Sequence, residues 1–163
     1  MLRLRNSARR LRKLLASGPA DWWLMLRAQV ELLKAQRLVR RVPRGELLAT
    51  LAGRHSQPGA QPPDLQRAER IGLAVERVAR FGIGRPLCLV RSIALHEMLE
   101  RAGLTGSRIR IGVRMGPRGF EAHAWVELAG HVLGDEPTYV ERFNPLADLS
   151  AVDRTIPFAT AGL

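Results

Sequence analysis

Apolar residues recur at steps of three and four residues over 20–41, and no Pro or Gly interrupts them. This spacing predicts an amphipathic helix that Pro43 brings to an end. A shorter helix is expected over 45–52. Residues 54–64 hold three prolines and a glycine, a composition typical of a linker. The helical pattern then resumes over 65–81.

The pattern changes after Pro86. Residues 88–102 predict a helix that ends at Gly103, a residue favoured just past helix C-termini. At 100° per residue, one stripe of this helix holds Cys88, Ser92, Leu95, Leu99 and Ala102. Cys88 therefore lies in the first turn, on the inward side of an amphipathic helix.

The chain continues with strand patterns of period two. Residues 109–115 alternate between apolar and polar side chains, a Gly- and Pro-containing turn covers 116–119, and a second strand runs over 120–128. Residues 129–130 form a tight turn into a third short strand at 131–133. Helices come first and an antiparallel meander follows, so the fold class is α+β.

Composition indicates a globular chain with one buried core. The 163 residues suit one domain with an extension, and 46% of them are hydrophobic. The only cysteine allows no intramolecular disulfide, which fits a reducing cytoplasm. No apolar run approaches the roughly 18 residues of a membrane span. We therefore predict a cytoplasmic protein without a transmembrane segment.

The positive charge is concentrated at one end. Residues 1–45 hold twelve Lys and Arg against Asp21 and Glu31, which gives +10 of the +11 net charge. Such a segment could attract an acidic protein, an anionic membrane surface or a nucleic acid, or it could be an Arg-rich solvated helix face. We predict a basic helical extension with its linker over 1–64 and a core domain over 65–163.

Three residues have the chemistry of a nucleophilic site. A helix N-terminus stabilises a thiolate, which suits Cys88 as a nucleophile, and a histidine such as His123 would act as its base. A tight hairpin at 129–130 gives strand pairs whose numbers add to 259, so Asp135 lies opposite Ala124, close to His123. Local geometry does not bring Cys88 to either residue, and a lone cysteine on an apolar stripe is also an ordinary core residue.

The other histidines suggest no site. The four His and one Cys of the chain show no metal-ligand spacing, so neither a metal nor another cofactor is expected. His96 lies at the edge of the polar side of its helix, and we expect it at the surface.

The motifs in the second half resemble a known group of enzymes. Residues 88–95, CLVRSIAL, are similar to the nucleophile helix of transglutaminase-like cysteine enzymes. More narrowly, IGV at 111–113, FEAHAWVE at 120–127, Gly130 and DEP at 135–137 resemble the leader peptidases of lasso-peptide biosynthesis.

The resemblance is strong over about residues 85–145. It implies a transglutaminase/papain-like core, in which the nucleophile helix packs on an antiparallel sheet. Enzymes of this family remove the leader of a ribosomal precursor peptide, and an ATP-dependent lasso cyclase then closes the macrolactam. In many systems a small recognition protein presents the leader. The short chain resembles the split type, which needs that protein in trans.

Matched positions imply the catalytic roles. They assign Cys88 as nucleophile, His123 as base and Asp135 as the carboxylate that orients the base, with Glu136 as the alternative third member.

Two further residues share the His123 face of the second strand. Trp125 and Glu127 are expected to bind substrate, although core packing is the alternative for Trp125.

Two other functions stay open. A thioester can pass its acyl group to water or to an amine, so another transglutaminase-like amidase or acyl transferase is one alternative. A basic nucleic-acid or membrane-surface binding protein without catalysis is the other. No helix-turn-helix and no phosphate-binding loop favours nucleic acid, and we predict no nucleic-acid partner.

Overall fold

The computed structural model describes residues 19–43, 62–117 and 119–146. The shorter helix expected over 45–52 and most of the expected linker lie outside these residues. The helices are α1 (Pro19–Arg41), α2 (Leu65–Phe81), α3 (Cys88–Arg101) and the short α4 (Pro137–Val140). The strands are β1 (Arg108–Gly116), β2 (Gly119–Leu128), β3 (His131–Leu133) and β4 (Asn144–Pro145).

The four strands form one antiparallel sheet in the order β3-β2-β1-β4. Val126 pairs with Leu133 and Leu128 pairs with His131, so the predicted number sum of 259 is confirmed. β3 ends at Leu133, however, two residues before Asp135. Asp135 therefore lies beyond the ladder, near its expected position but on a turn.

Helix α3 occupies the centre of the molecule, with α1 and α2 packed on it and β2 beneath it. The predicted stripe through Ser92, Leu95 and Leu99 is buried. Ile93 and His96, outside that stripe, are buried as well. α3 is thus covered on most sides, and together with the sheet this arrangement is the predicted α+β fold.

Helix α1 shares the core of the helices that follow it. Its small residues Ala28 and Ala35 are buried together with Leu32 in the same cluster as α3, and Glu31 pairs with Arg101. The division at residues 64 and 65 stays a prediction. In the described part of the chain, no helix is long and apolar enough to cross a membrane.

A second, smaller cluster lies apart from the main core. It consists of Trp125, Val140 and Phe143, with Tyr139 and Val132 packed against it. β4 brings this segment to the sheet through its pairing with β1. The residues that support His123 therefore come from α4 and the turn that follows it, elements that the strand pattern does not predict.

Candidate active site

Cys88 is the first residue of α3 and is half-buried. The residue before it, Leu87, caps the helix without any side-chain hydrogen bond. Free amides at a helix start and the helix dipole both favour a negative charge at this point. The position of Cys88 therefore suits a thiolate, as the sequence predicts.

The structure brings Cys88, His123 and Asp135 together. His123 Nε2 lies 2.7 Å from Asp135 Oδ2, and Cys88 and His123 are close enough for each to shift the pKa of the other. Because Nε2 is engaged by the carboxylate, the nitrogen left for the thiol is Nδ1. The imidazole thus bridges a sulfur and a carboxylate, which is the arrangement that the predicted roles require.

Three contacts hold Asp135 in place. Its second oxygen, Oδ1, accepts a 2.9 Å hydrogen bond from the Glu136 amide. Arg91 Nη2 donates a 3.0 Å hydrogen bond to the Gly134 carbonyl and lies 3.8 Å from Asp135 Oδ2. Gly134 has a φ of +68°, and Gly72 of α2 packs directly against it. A bend that favours glycine therefore aims the Asp135 carboxylate at His123.

The electrostatics of the three residues favour an ion pair. The hydrogen bond to Asp135, followed by that to Cys88, raises the pKa of His123 to about 9. The hydrogen bond from His123 lowers the pKa of the Cys88 thiol against the opposing effect of burial, helped by the Ala124 and Leu89 amides. At neutral pH these shifts favour a thiolate beside an imidazolium.

Asp135 is the counter-charge behind the imidazole. Burial raises its pKa, but hydrogen bonds from His123 and the Glu136 amide, with the charges of His123 and Arg91, together hold the pKa below its ordinary value. An ionised carboxylate accepts only, so His123 Nε2 donates to it.

Aromatic rings surround the imidazole of His123. Its centroid lies 5.1 Å from the Tyr139 ring, edge-on, and 5.2 Å from the Phe143 ring. The Trp125 ring is nearly parallel at 6.3 Å. The base is therefore flanked by three aromatic rings.

The two residues expected to bind substrate contact each other. Trp125 is only 2% exposed and its Nε1 donates a 2.8 Å hydrogen bond to Glu127 Oε1, so it packs in the second cluster, which is the alternative role expected for it. Glu127 also accepts a 3.1 Å hydrogen bond from Arg110 Nε. Its carboxylate anchors Trp125, and substrate binding by Glu127 stays a prediction.

Two other expectations can be compared with the structure. Glu136, the alternative third member, is exposed and accepts a hydrogen bond from Thr138, while the carboxylate of Asp135 contacts His123. The expectation of a surface His96 is wrong. Its Nδ1 lies 2.7 Å from the hydroxyl of Ser107, in the loop before β1, and both residues are buried.

A cavity of about 460 Å³ opens beside Asp135. Its walls include Pro86, two residues before Cys88, as well as Arg91 and Glu136. Arg80, Arg85 and Glu76 complete its charged lining. The site thus has an open approach next to the carboxylate.

Sequence reasoning missed the supporting residues of the site, namely Arg91, Gly112, Tyr139 and Phe143. One signal was available for Arg91. It lies three residues after Cys88, and residues at this spacing are neighbours on the surface of a helix. Gly112 stands inside a strand pattern, which often marks a close approach by another chain segment. The two aromatic residues follow the last predicted strand and carried no such signal.

The arrangement can perform nucleophilic acyl chemistry. It supplies a thiolate, a proton donor and acceptor in His123, and a carboxylate that orients the imidazole. Within residues 19–43, 62–117 and 119–146, no group of three or more His, Cys, Asp or Glu could hold a metal ion.

Comparison with known proteins gives one family match. The family model described as the transglutaminase-like superfamily matches residues 30–148, which include α2, α3 and the whole sheet. No curated protein and no solved structure matches the chain.

Proposed function

This chain belongs to the transglutaminase-like superfamily, and on that premise we propose that it is a cysteine peptidase that removes the leader from a lasso-peptide precursor. Cys88 is the nucleophile, His123 the acid and base, and Asp135 the residue that orients the imidazole. The observation that carries the proposal is the position of the His123 imidazole, which contacts Asp135 at 2.7 Å and interacts with the Cys88 thiol.

The reaction begins with the thiolate of Cys88. Its sulfur attacks the carbonyl carbon of the scissile peptide bond, and the C–N bond breaks as the His123 imidazolium gives its proton to the leaving amine. The resulting thioester is attacked by water, whose proton passes to the now neutral imidazole. Cleavage of the C–S bond releases the leader as a carboxylic acid and restores the thiolate and the imidazolium.

The family also supports a different acceptor. If an amine takes the place of water, the same thioester yields a new amide, so the chain would be an acyl transferase. The products separate these reactions. Hydrolysis in H₂¹⁸O places one ¹⁸O in the new carboxylate, whereas transfer to an amine places none.

The narrower assignment to lasso-peptide maturation rests on the motifs around Cys88, His123 and Asp135. Hydrolysis at the end of the leader would free the amine that the lasso cyclase then joins in the macrolactam. The cavity beside Asp135 is lined by Pro86, two residues before the nucleophile in the chain, and gives a peptide a place to lie.

The exposed residues on the outer face of α1 support the proposal of a partner protein. Trp22 and Trp23 are 55% and 62% exposed, and Leu26 and Val30 are exposed beside them. None of the exposed residues of α1 is acidic, while several are Arg. Trp and Arg are enriched in the energetic centres of protein interfaces. A small leader-recognition protein with an acidic and apolar surface would cover this face.

The first test of the peptidase is the rate at which iodoacetamide alkylates Cys88 as a function of pH. Cys88 is the only cysteine, so the label reports one sulfur and no substrate is required. We expect the alkylation rate to rise with a midpoint well below about pH 8.5, the ordinary pKa of a thiol. In His123→Ala this low midpoint should be lost. Slow alkylation that titrates near 8.5 and does not depend on His123 would contradict the proposal.

The second test measures the reaction itself. The chain is incubated with a candidate precursor peptide, with and without its recognition protein, and the products are identified by mass spectrometry. We expect one cut at the leader junction, abolished in Cys88→Ala and weakened when Trp22 and Trp23 are replaced by Ser. Cleavage that is indifferent to the α1 substitutions would remove α1 as the docking face and leave the peptidase assignment intact.

A further inference from the structure

The geometry around His123 points to Phe143 and Tyr139 as positioning residues for the base. We propose that these two rings fix the imidazole in the plane that reaches Cys88 and Asp135 together and stabilise its protonated form. The inference deepens the proposed function, since the proton that His123 holds is the one given to the leaving amine.

The ring contacts restrict the imidazole. Phe143 lies at 5.2 Å with an interplanar angle of 32°, and Tyr139 meets the imidazole at 83° from 5.1 Å. The two rings also contact each other at 5.3 Å. Rings that meet the imidazole from two directions oppose its rotation out of the Cys88–Asp135 line, because rotation would bring its atoms into them.

The same rings suit a positively charged imidazole. A cation within about 6 Å of an aromatic centroid is attracted by the negative face of the ring. One cation, the Arg114 guanidinium, already lies over these rings. Arg114 Cζ lies 4.5 Å from the centroid of Phe143 and 5.4 Å from that of Tyr139.

The charged groups around His123 are consistent with this inference. Asp135 and the thiolate of Cys88 favour the imidazolium directly. Arg114 opposes it from beyond the rings, but Glu121 accepts hydrogen bonds of 2.6 and 2.8 Å from the Arg114 guanidinium and offsets its charge. Arg91 lies 3.8 Å from Asp135 Oδ2, the oxygen that His123 also contacts.

Gly112 makes the enclosure possible. It is the cross-strand partner of His123 in the β1–β2 ladder. A Cβ at this position would lie 2.8 Å from Phe143 Cβ and 2.8 Å from Trp125 Cη2. Because Gly112 has no side chain, the aromatic residues fill the space under the neighbouring imidazole.

The experiment titrates His123 by NMR in full-length protein with ¹⁵N-labelled histidine, and alkylation of Cys88 is followed in parallel. Phenylalanines with increasing numbers of fluorine atoms are placed at position 143, since fluorine weakens the negative face of the ring and alters its shape little. We expect the pKa of His123 to fall stepwise, by about half a unit or more in total. The midpoint of Cys88 alkylation should rise in the same order.

Substitutions separate ring contact from packing. Phe143→Leu should shift both titrations in the same directions, while Tyr139→Phe, which keeps the ring, should preserve them. Val140→Ala is the matched control: Val140 is buried in the same cluster but makes no ring contact with His123, so it should lower the melting temperature and leave both titrations unchanged.

Two results would overturn the inference. One is a His123 pKa that does not respond to fluorination of Phe143 in a folded protein. The other is a shift of the His123 pKa in Val140→Ala that equals the shift in Phe143→Leu. The NMR titration needs no substrate. A failure to cleave peptides would therefore contradict the proposed function, whereas the role of the two rings is decided by the His123 pKa.

Discussion

Arg91 donates a 3.0 Å hydrogen bond to the carbonyl oxygen of Gly134, which ties the nucleophile helix to the turn that carries Asp135. The same guanidinium lies 3.8 Å from the Asp135 carboxylate. Because Arg91 stands one turn after Cys88, a single helix presents both the sulfur and the group that fixes the carboxylate. The distance between nucleophile and carboxylate is therefore set by α3 itself.

Replacement of Arg91 should weaken the site without removing any reacting group. Arg91→Met keeps the apolar stem and loses the hydrogen bond to Gly134. A hydrogen bond of this charged type contributes about 1.5–3 kcal/mol, so we expect peptide cleavage to fall by about tenfold or more. Arg91→Lys should restore part of the rate. Equal rates in wild type and Arg91→Met would show that the turn holds Asp135 unaided.

The third member of the site can be identified by two neighbouring substitutions. Asp135→Asn removes the largest cause of the raised His123 pKa, so the pKa should fall and the Cys88 alkylation midpoint should rise. Cleavage should decrease by about 10²–10⁴-fold. Glu136→Gln is the control, because Glu136 is exposed and bonds Thr138. The opposite pattern would assign the role to Glu136.

Stability should depend on pH through the Cys88–His123 pair. The raised pKa of His123 contributes stability that is complete below about 6.5, its unfolded value, and is lost as the pH rises through about 9. The lowered pKa of Cys88 contributes stability that is complete above about 8.5 and is lost as the pH falls through the folded value.

These two contributions cancel where the folded thiol is ionised and the pH lies between about 6.5 and 8.5, because the folded and unfolded chains then each hold one proton on the pair. We therefore expect a plateau that ends near pH 8.5, above which stability falls. Urea unfolding, followed by tryptophan fluorescence from pH 5 to 10, measures it. In Cys88→Ser the plateau should be replaced by a fall in stability as the pH rises from about 6.5 to 8.5, because only the His123 contribution remains; a plateau that persists in this variant would exclude an ionised pair.

The buried contact between His96 and Ser107 should stabilise the fold and leave the chemistry alone. Ser107 is 0% exposed, and Ser107→Ala would remove the hydroxyl that contacts His96 Nδ1. Loss of such a partner costs about 1–3 kcal/mol. Denaturant unfolding should show this loss, whereas the exposed Thr138→Ala should change stability by less than about 0.5 kcal/mol. A shifted Cys88 alkylation midpoint in Ser107→Ala would instead connect His96 to the site.

The sequence pattern predicted those parts of the fold that local physics determines. Helix α2 and strand β3 begin and end at the predicted residues, and the ends of α3, β1 and β2 lie within one residue of prediction. The β2–β3 register followed from the tight turn at Ala129 and Gly130, both of which have positive φ. Steric limits on a two-residue hairpin left few other pairings.

Other features depend on contacts between distant segments. Cys88 and His123 lie on separate elements, and no periodicity brings them together. Trp125 looked available for substrate because its strand face carries polar residues. The segment from Tyr139 to Phe143 folds back over that face and buries it. The burial of His96 likewise involves Ser107, in the loop that follows α3.

The uncapped start of α3 implies a conflict between robustness and reactivity. Leu87 is 74% exposed and offers the helix no hydrogen bond, where an Asp or Asn cap would stabilise it by about 1 kcal/mol. Leu87→Asp should therefore raise the melting temperature. A carboxylate at this position would also repel the adjacent thiolate and occupy the amides that favour it, so Cys88 should alkylate more slowly at neutral pH. Selection for a durable protein and selection for a reactive sulfur would then favour different residues at position 87.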